Sequence, residues 1–335
     1  MRIGLAGAGR MGRVRAEMLA RLGRLQSVVV TDVNVELAGE LAARTGFEHL
    51  PDVGELFAAG TGLDALIVAT ATDAHRDLVT AAVAAGLPVF VEKPLAVDLA
   101  GTKAVVDALT GSPTPVQVGF QRRFDPGYVS AREAVGSGRL GWLHTVRSNT
   151  FDPGPPTPEY VASSGGLARD CAVHDFDSIR WVTGREVTSV YAMGSNRGAA
   201  LFAEHDDVDT MSALLALDDG TQAQVGCTRY NAAGYDVRLE VFGSEGSVAA
   251  GLDDSTPLTS TEAGVSFPAG PAATGFPERF AAAYEAETRA FVKLVRTGGT
   301  PACTPTDALE AFYVAEAADR SRREGRPVAL AEVRA

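Results

Sequence analysis

Lysine is nearly missing from this sequence, which relies on arginine for its positive charge. Of the 30 basic side chains only three are lysines, at positions 93, 103 and 293. Lys103 and Lys293 fall in helical patterns, whereas Lys93 stands between a short apolar run and Pro94. Arginine cannot usefully release its proton, but a partly buried lysine can. The scarcity of lysine therefore favours proton chemistry at Lys93 over the alternative of a solvated loop residue.

Cysteine and net positive charge are also lacking, and each absence excludes a class of protein. The three cysteines are far apart, odd in number and outside any metal-ligand spacing, at Cys171, Cys227 and Cys303. This usage excludes a disulfide framework and suits a reducing cytoplasm. The formal net charge of −12 argues against nucleic acid and anionic membrane as partners.

Long apolar runs are absent as well. No stretch approaches the length that a membrane span requires, and the first residues lack the apolar core and cleavage site of a secretory leader. We therefore expect a cytoplasmic protein that does not contact a membrane. A length of 335 residues with 46% hydrophobic content predicts two domains, each with its own core.

The first motif present is a glycine-rich turn between a strand and a helix. Residues 2–6 predict a strand, residues 7–12 read GAGRMG, and a helix is predicted from 14 to 22. This is the context that the dinucleotide-binding fingerprint requires. In chain order, the three glycines permit a tight turn, the approach of a pyrophosphate, and close packing of the helix on the strand. The predicted cofactor-binding residues of this turn are Gly7, Gly9, Arg10, Met11 and Gly12.

An acidic residue ends the next predicted strand, at residues 27–31. Asp32 lies about 20 positions after Gly12, where a carboxylate can bond the ribose hydroxyls of a dinucleotide. Beside the glycine motif, this role is favoured over that of a plain turn residue. Positions 33 and 34 offer no arginine for a 2′-phosphate, and a carboxylate would repel that phosphate. The pattern therefore predicts NAD, with NADP less favoured.

Strands and helices go on alternating through residue 119. Strands are predicted at 65–69, 89–91 and 116–119. Helices are predicted at 35–45, 52–59 and 98–109, and a further helix starts within residues 70–75 and runs to 85. This alternation predicts an α/β domain with a doubly wound parallel sheet over residues 1–120. Its strand ends should line the cofactor cleft. The residues expected there are Ala69, Thr70, Thr72, His75 and Glu92, and for His75 the alternative is a surface residue at a helix start.

After residue 120 the pattern changes to short alternating strands. They are predicted at 142–150, 187–194, 210–217, 221–229, 237–242 and 247–250, with a hairpin turn at 218–220. Closing helices are predicted at 277–296 and from Pro305, with Thr304 as N-cap. We expect residues 121–335 to form an α+β domain with a large open, mostly antiparallel sheet. A proline-rich loop at 152–158 is either a wall of a substrate pocket or a simple connector.

Residues 164–177, SGGLARDCAVHDFD, contain the second candidate site. Asp170, His174 and Asp177 stand at i, i+4 and i+7, which places them on one face if the helix begins early enough. A carboxylate beside an imidazole holds one tautomer and raises the basicity of the ring, as a general base requires. The alternative, of equal weight, is that Asp170 caps the helix and His174 is a buried structural histidine. No second histidine lies near, so we expect no metal.

Taken together, these motifs resemble the Gfo/Idh/MocA oxidoreductases, and among them the myo-inositol 2-dehydrogenase-like branch. The resemblance rests on GAGRMG with Asp32, EKP at residues 92–94, VGFQRRFD at 118–125 and the motif at 164–177, and it covers essentially the whole chain. It implies a Rossmann domain followed by an α/β domain whose open sheet forms the interface of a homodimer or homotetramer. It also implies a cis peptide bond before Pro94.

The resemblance further implies roles for individual residues. Lys93, Asp170 and His174 would be catalytic, and the residues contacting a polyol or sugar would be Arg122, Asn149, Asp177 and Tyr235. His174, oriented by Asp170, would accept the proton of a ring secondary alcohol while a hydride passes to NAD. Lys93 would stabilise the charge that develops on the same oxygen.

Two other functions are compatible with the same motifs. A ketosugar or nucleotide-sugar reductase would run this chemistry toward the alcohol. A non-catalytic dinucleotide-binding regulator would keep the fold alone, but such a protein has no need for Lys93, Asp170 and His174 together.

Overall fold

The computed structural model describes residues 1–23, 25–58, 60–268 and 270–335. These residues form two compact units, each with residues from two parts of the chain. The first unit contains Met1–Gln121 and Ala282–Leu309, and the second contains Arg122–Ala281 and Glu310–Ala335. In the described part of the chain, no helix combines the length and the hydropathy needed to cross a membrane.

The first unit has a parallel sheet that the alternating pattern predicted. Its six strands within the described residues are β1 (Arg2–Ala6), β2 (Ser27–Thr31), β3 (Glu48–His49), β4 (Ala65–Val68), β5 (Val89–Glu92) and β6 (Val116–Gly119). They pair in the order β3-β2-β1-β4-β5-β6, and the pairs are parallel. The connecting helices are α1 (Arg10–Arg21), α2 (Val35–Thr45), α3 (His75–Ala84) and α4 (Leu99–Leu109). The predicted doubly wound α/β fold is confirmed.

The core of this sheet comes from apolar residues that stand side by side on the central strands. Ile3 and Leu5 of β1 are paired with Val28 and Val30 of β2, and all four are buried. Runs without polar positions are typical of parallel strands that are covered on both faces. The order of the strands reverses direction between β1 and β4, which places the ligand-binding crevice at the carboxyl ends of these strands.

The second unit contains the predicted large sheet, and it is mostly antiparallel. Its strands within the described residues are β7 (Leu143–Phe151), β8 (Val187–Ser195), β9 (Thr210–Leu217), β10 (Gln222–Thr228), β11 (Asp236–Gly243), β12 (Ser247–Ala250) and β13 (Val328–Ala329). They pair in the order β12-β11-β7-β10-β9-β8-β13, with β7 and β10 parallel. The helices are α5 (Pro126–Gly136), α6 (Pro158–Ser163), α7 (Val173–Thr183), α8 (Leu201–Glu204) and α9 (Phe276–Arg279).

One face of the larger sheet is open. Tyr191 of β8 is paired with Leu214 of β9, and both side chains are exposed, as is Met193. The alternate residues of the same two strands, such as Val190 and Leu215, are buried on the other face. Successive strand residues point to opposite faces, so one face of this sheet is buried while the other presents exposed apolar side chains.

The closing helices show where the predicted domain boundary differs from the structure. They are α10 (Ala281–Thr297), α11 (Pro305–Glu324) and α12 (Ala331–Arg334). The sequence assigned all of 121–335 to the second domain, whereas Ala282–Leu309 belongs to the first unit. The reason is packing, because Phe291 of α10 lies edge-on to Phe90 of β5, with ring centroids 5.7 Å apart. The Thr304 cap is confirmed by its hydroxyl, which accepts from the Asp307 amide at 3.1 Å.

Several helix boundaries also differ from the sequence prediction. Helix α1 begins at Arg10, directly after the turn, and not at residue 14. The helix predicted at 52–59 is a short 3-10 turn, Val53–Phe57, and Ala59 lies outside the described residues. Pro158 begins a helix instead of closing the loop, because proline is tolerated at the first helical position.

Candidate active site

The glycine turn of the first unit has the geometry of a phosphate-binding turn. Gly7 has φ of +104°, and its amide donates to the Thr31 carbonyl at 2.8 Å. A Cβ at Gly12 would lie 2.0 Å from the Gly7 carbonyl oxygen, so only glycine allows this approach of helix to turn. At Gly9, by contrast, no atom of the described residues lies within 4 Å of such a Cβ. The space above Gly9 therefore suits a group that approaches the backbone closely.

Asp32 connects the end of β2 to the same turn. One carboxylate oxygen accepts from the Ala8 amide at 2.7 Å and the other from the Asn34 amide at 2.9 Å. Helix α1 starts beside it with Gly9 as N-cap, which has no side chain to occupy the amides of the first turn. Arg10 and Met11 form this first turn. The residues present thus fit a dinucleotide, with phosphate at the helix start and ribose near the carboxylate.

His75 is buried and joins the ends of two neighbouring strands. Its ring Nδ1 lies 2.8 Å from the Pro94 carbonyl oxygen, and Nε2 lies 3.3 Å from the Thr70 carbonyl oxygen. Burial lowers the pKa of His75 below its usual value, so the ring is neutral at pH 7. The alternative of a surface residue at a helix start is therefore wrong. His75 fixes the segment that follows Lys93 to the end of β4.

The other predicted cofactor residues lie at the same strand ends. The Ala69 amide donates to the Ala6 carbonyl at 2.7 Å, which ties the end of β4 to the end of β1. Thr72 opens a short 3-10 turn, Thr72–Ala74, before α3. Lys93 directly follows β5 and is half-buried, and the Lys93–Pro94 bond is cis, as the family resemblance implied.

Glu92, beside Lys93, belongs to a buried charge cluster that the sequence did not reveal. Arg15 of α1 is 1% exposed and donates to Glu92 at 2.7 Å and to Glu287 of α10 at 2.6 Å. Its guanidinium also lies over the Phe90 ring, 4.2 Å from the centroid. Burial raises the pKa of Glu287 to about 7. No local pattern signals this cluster, because Arg15 and Glu287 are distant in sequence.

In the second unit, the motif of Asp170 and His174 does not form one continuous α-helix. Residues Ala168–Ala172 are a π-helical turn, and α7 begins at Val173. The α-helical spacing rule therefore does not extend back to Asp170, so the condition on which a single stripe through Asp170, His174 and Asp177 depended is not met. His174 lies in the first turn of α7 and is half-buried. π-helical turns occur frequently at functional sites.

Asp170 is held by two donors from other elements. The Tyr160 hydroxyl of α6 donates to one carboxylate oxygen at 2.8 Å. Arg229, just after β10, donates to the other at 2.7 Å. An ionised carboxylate accepts both bonds, and the guanidinium stabilises its charge. Neither partner was identified from the sequence, although Arg229 stands at the end of a predicted strand, where site residues were expected in the first domain.

Arg122 and Asp177, which were expected to contact substrate, have ion-pair partners inside the second unit. Arg122 donates to Asp175 at 2.8 Å and to the Thr150 hydroxyl at 2.7 Å. Asp177 accepts from Arg123 at 2.6 and 3.0 Å. All of these charged side chains are buried. The two residues thus belong to separate pairs, and their contact with a substrate stays a prediction.

Of the remaining two predicted substrate residues, Tyr235 shares a neighbour with Arg122, whose guanidinium lies 5.8 Å from the centroid of the Phe280 ring. Asn149 lies on the open face of β7, because its neighbour Thr150 points the other way, toward Asp175. Its amide nitrogen lies 3.3 Å from the Asp236 carbonyl oxygen. Tyr235 is buried just before β11, and its ring is edge-on to Phe280. Within the described residues, no group of three or more metal-ligating side chains could hold a metal ion.

Comparison with known proteins matches both units of the chain to domains of one family. Residues 1–120 match the model of the oxidoreductase family with an NAD-binding Rossmann fold. Residues 128–249 match the model of the GFO/IDH/MocA C-terminal domain. The chain is 38% identical to a myo-inositol dehydrogenase, Hyg17, of Streptomyces leeuwenhoekii over 97% of this chain and 98% of that protein.

Solved structures agree with this relationship. A myo-inositol dehydrogenase from Corynebacterium glutamicum is 33% identical, with a TM-score of 0.91 over 98% of each chain. A scyllo-inositol dehydrogenase from Lactobacillus casei, solved with NAD(H) and scyllo-inositol, is 28% identical, with a TM-score of 0.86 over 99% of each chain.

The match to the NAD-binding Rossmann-fold model over residues 1–120 identifies an oxidoreductase. The chain belongs to the Gfo/Idh/MocA oxidoreductase family. It is thus an enzyme of the NAD-dependent dehydrogenase class, as the resemblance implied.

Proposed function

We propose that the protein transfers a hydride between NAD and a ring secondary alcohol of a cyclic polyol such as an inositol. The similarity to inositol dehydrogenases over nearly the whole chain supports this substrate class. The observation that carries the proposal is the Asp170 carboxylate, which Tyr160 and Arg229 hold in place four residues before His174. A fixed carboxylate in this motif suits the orientation of a proton acceptor.

The chain's own residues supply the proton chemistry. Bound NAD would accept the hydride from the carbinol carbon. His174 accepts the hydroxyl proton, and Asp170 favours the imidazolium that results. Lys93 donates a hydrogen bond to the alcohol oxygen and stabilises its developing negative charge. The contacts of His75 and Arg15 hold the segment around Lys93 in place, since they fix the residues on either side of it.

The same proposal includes a preference for NAD over NADP. Asp32 presents a carboxylate where the 2′-phosphate of NADP would lie, and positions 33 and 34 are valine and asparagine. The negative charges of the carboxylate and of a 2′-phosphate would repel each other there. NAD is therefore the expected cofactor in the assay below, and NADP the weaker one.

We also propose a homodimer or homotetramer that forms through the open face of the larger sheet in the cytoplasm. The exposed Tyr191, Met193 and Leu214 lie on adjacent strands of this face and support an interface there. The measured mass of the purified protein in solution tests the proposal, and a monomer at micromolar concentration contradicts it.

The function is tested by following NADH formation with purified protein and a panel of inositols and aldoses, in both reaction directions. Lys93→Met and His174→Ala should each lower kcat on the order of 10²–10⁴-fold, while the affinity for NADH changes little. Lys293→Met is the matched control, because Lys293 is an exposed lysine on α10. Faster turnover of ketosugars toward the alcohol would favour the reductase instead. Tight NAD binding without turnover on any substrate would contradict both enzyme functions.

A further inference from the structure

Arg229, directly after β10, connects the carboxylate of Asp152, directly after the parallel strand β7, with that of Asp170 in the π-helical turn. Strands β7 and β10 run side by side, with Phe151 opposite Thr228, so the next residue of each, Asp152 and Arg229, are neighbours. One guanidinium nitrogen donates to Asp152 at 2.8 Å, and another donates to Asp170 at 2.7 Å. The Asp152 amide also donates to the Thr228 carbonyl at 2.9 Å. The start of the proline-rich loop and the motif of His174 thus share one arginine.

The surroundings of Arg229 make this arrangement rigid. The residue is 5% exposed, and its own amide donates to the Asp209 carbonyl at 2.8 Å. Burial without partners would lower the pKa of the guanidinium, but Asp170 and Asp152 raise it, so the group stays charged. A buried charge persists only when it is paired, and removal of one partner leaves the other uncompensated. Asp170 is therefore kept ionised by Arg229.

Tyr160 makes a second contact with the Asp170 carboxylate. Its hydroxyl donates to the carboxylate oxygen that Arg229 does not bond. The two donors come from different elements, α6 and the segment after β10, and each fixes one oxygen. The plane of the carboxylate is thereby determined by contacts outside the π-helical turn that carries it.

We propose that Arg229 is a positioning residue for the reaction, which acts by holding the Asp170 carboxylate in a fixed orientation and ionised. Tyr160 assists it at the second oxygen. This inference rests on the proposed roles of Asp170 and His174. In this role Arg229 acts through Asp170 and not on the substrate or the cofactor, so its loss should affect the chemical step rather than the binding of NAD.

The test compares Arg229→Met, Arg229→Lys and Tyr160→Phe with the natural enzyme. We expect Arg229→Met to lower kcat about 10–100-fold, as is typical for the loss of a group that orients a reactive side chain. The KM for the polyol and the Kd for NADH should change less than about threefold. Arg229→Lys should recover part of the lost kcat but stay below the natural enzyme, since it restores the charge but not the fork of two donors. Tyr160→Phe, which removes a neutral donor, should have the smaller effect.

Arg180→Met is the matched control. Arg180 is also a buried arginine of the second unit, and it pairs with Glu186 through two bonds of 2.7 Å. Its loss should lower the melting temperature without lowering kcat more than about twofold. If Arg180→Met and Arg229→Met reduced kcat equally, or if Arg229→Lys gave no recovery, Arg229 would have a merely structural role.

Failure of this inference can be told apart from failure of the proposed function. If His174→Ala is inactive while Arg229→Met is fully active, the role of Arg229 is overturned and the proposed function stands. If His174→Ala kept full turnover, the proposed function itself would fail. If Arg229→Met does not fold, Arg229→Lys and Tyr160→Phe still test the role of Arg229. A kcat equal to that of the natural enzyme in both variants would contradict the proposal.

Discussion

Arg122 and Asp175 form an ion pair that is fully enclosed in the second unit, with 2.8 Å between guanidinium nitrogen and carboxylate oxygen. The Asp175 carboxylate also accepts from the hydroxyls of Ser148 at 2.5 Å and Thr150 at 2.8 Å. It therefore fastens the first turn of α7 to β7. Since Asp175 directly follows His174, the pair stabilises the part of the fold that carries the proposed base.

Removal of one partner from this pair should be strongly destabilising. Asp175→Ala leaves the Arg122 charge buried and uncompensated, which costs about 3–5 kcal/mol. We expect a loss of this size in the free energy of unfolding, measured by urea denaturation. The double variant Arg122→Met with Asp175→Ala should regain part of the loss, because no charge is then left unpaired. A single variant that lost under about 1 kcal/mol would contradict this account.

The glycine turn allows stability and cofactor binding to be separated. At Gly9, φ is −68° and an added methyl group meets no described atom, so Gly9→Ala should cost no more than about 1 kcal/mol, the typical loss when alanine replaces a favourable N-cap residue. The methyl group would occupy the space where a pyrophosphate approaches, and the affinity for NADH should fall at least about tenfold. Fluorescence titration measures this affinity, and an unchanged Kd would refute the placement of the pyrophosphate.

Gly12→Ala is the counterpart of that variant and should behave differently. Its methyl group would meet the Gly7 carbonyl oxygen at 2.0 Å, which is a backbone atom that cannot move without distorting the turn. We expect a stability loss of about 1–3 kcal/mol together with the loss of NADH binding. If Gly12→Ala were as stable as the natural protein, helix α1 could not pack against the Gly7 carbonyl as closely as 2.0 Å from a Cβ at residue 12.

The buried Glu287 should make stability depend on pH. Its pKa is about 7 in the folded protein and near 4.5 when exposed, so the folded state binds the proton more tightly. This contribution to stability is complete below about pH 4.5 and is lost as the pH rises through 7. Relative to Glu287→Gln, which cannot titrate, the natural protein should lose roughly 3 kcal/mol across this range, because each unit of pKa difference corresponds to about 1.4 kcal/mol.

The measurement for this prediction is urea unfolding of both proteins at several pH values between 5 and 8. The other titrating groups are common to both proteins, so the difference between the two curves isolates position 287. Arg15 keeps Glu92 as a partner in the variant, which preserves one ion pair. Parallel curves for the two proteins would show that Glu287 titrates at its ordinary pKa.

Local patterns were sufficient to predict the strands and the glycine turn. The β4 and β5 runs contain consecutive apolar residues between turn signals, and this is a property of a short stretch of sequence. Gly12 and Asp32 could likewise be placed at the turn from spacing, because Gly12 approaches Gly7 and Asp32 accepts from the Ala8 amide. The hairpin between β9 and β10 was predicted from residues 218–220, and Gly220 indeed has φ of +89°.

Features that depend on distant contacts could not be predicted in this way. The return of Ala282–Leu309 to the first unit depends on Arg15 and Phe90 meeting α10, which no window of sequence contains. The π-helical turn at Ala168–Ala172 has no sequence signal of its own, so α-helical spacing was applied to Asp170 where it does not hold. The pairing of Asp170 with Arg229 likewise appears only once β7 and β10 are adjacent.

The most direct test of the central claim is to follow the reacting hydrogen itself. The purified enzyme is incubated with NAD and myo-inositol that carries deuterium on every ring carbon, and the reduced nucleotide is analysed by mass spectrometry. We expect the natural enzyme and Lys293→Met to form NADH that is heavier by one mass unit. Lys93→Met should form scarcely any. Reduced nucleotide of ordinary mass, or equal formation of the heavier product by Lys93→Met, would contradict the central claim.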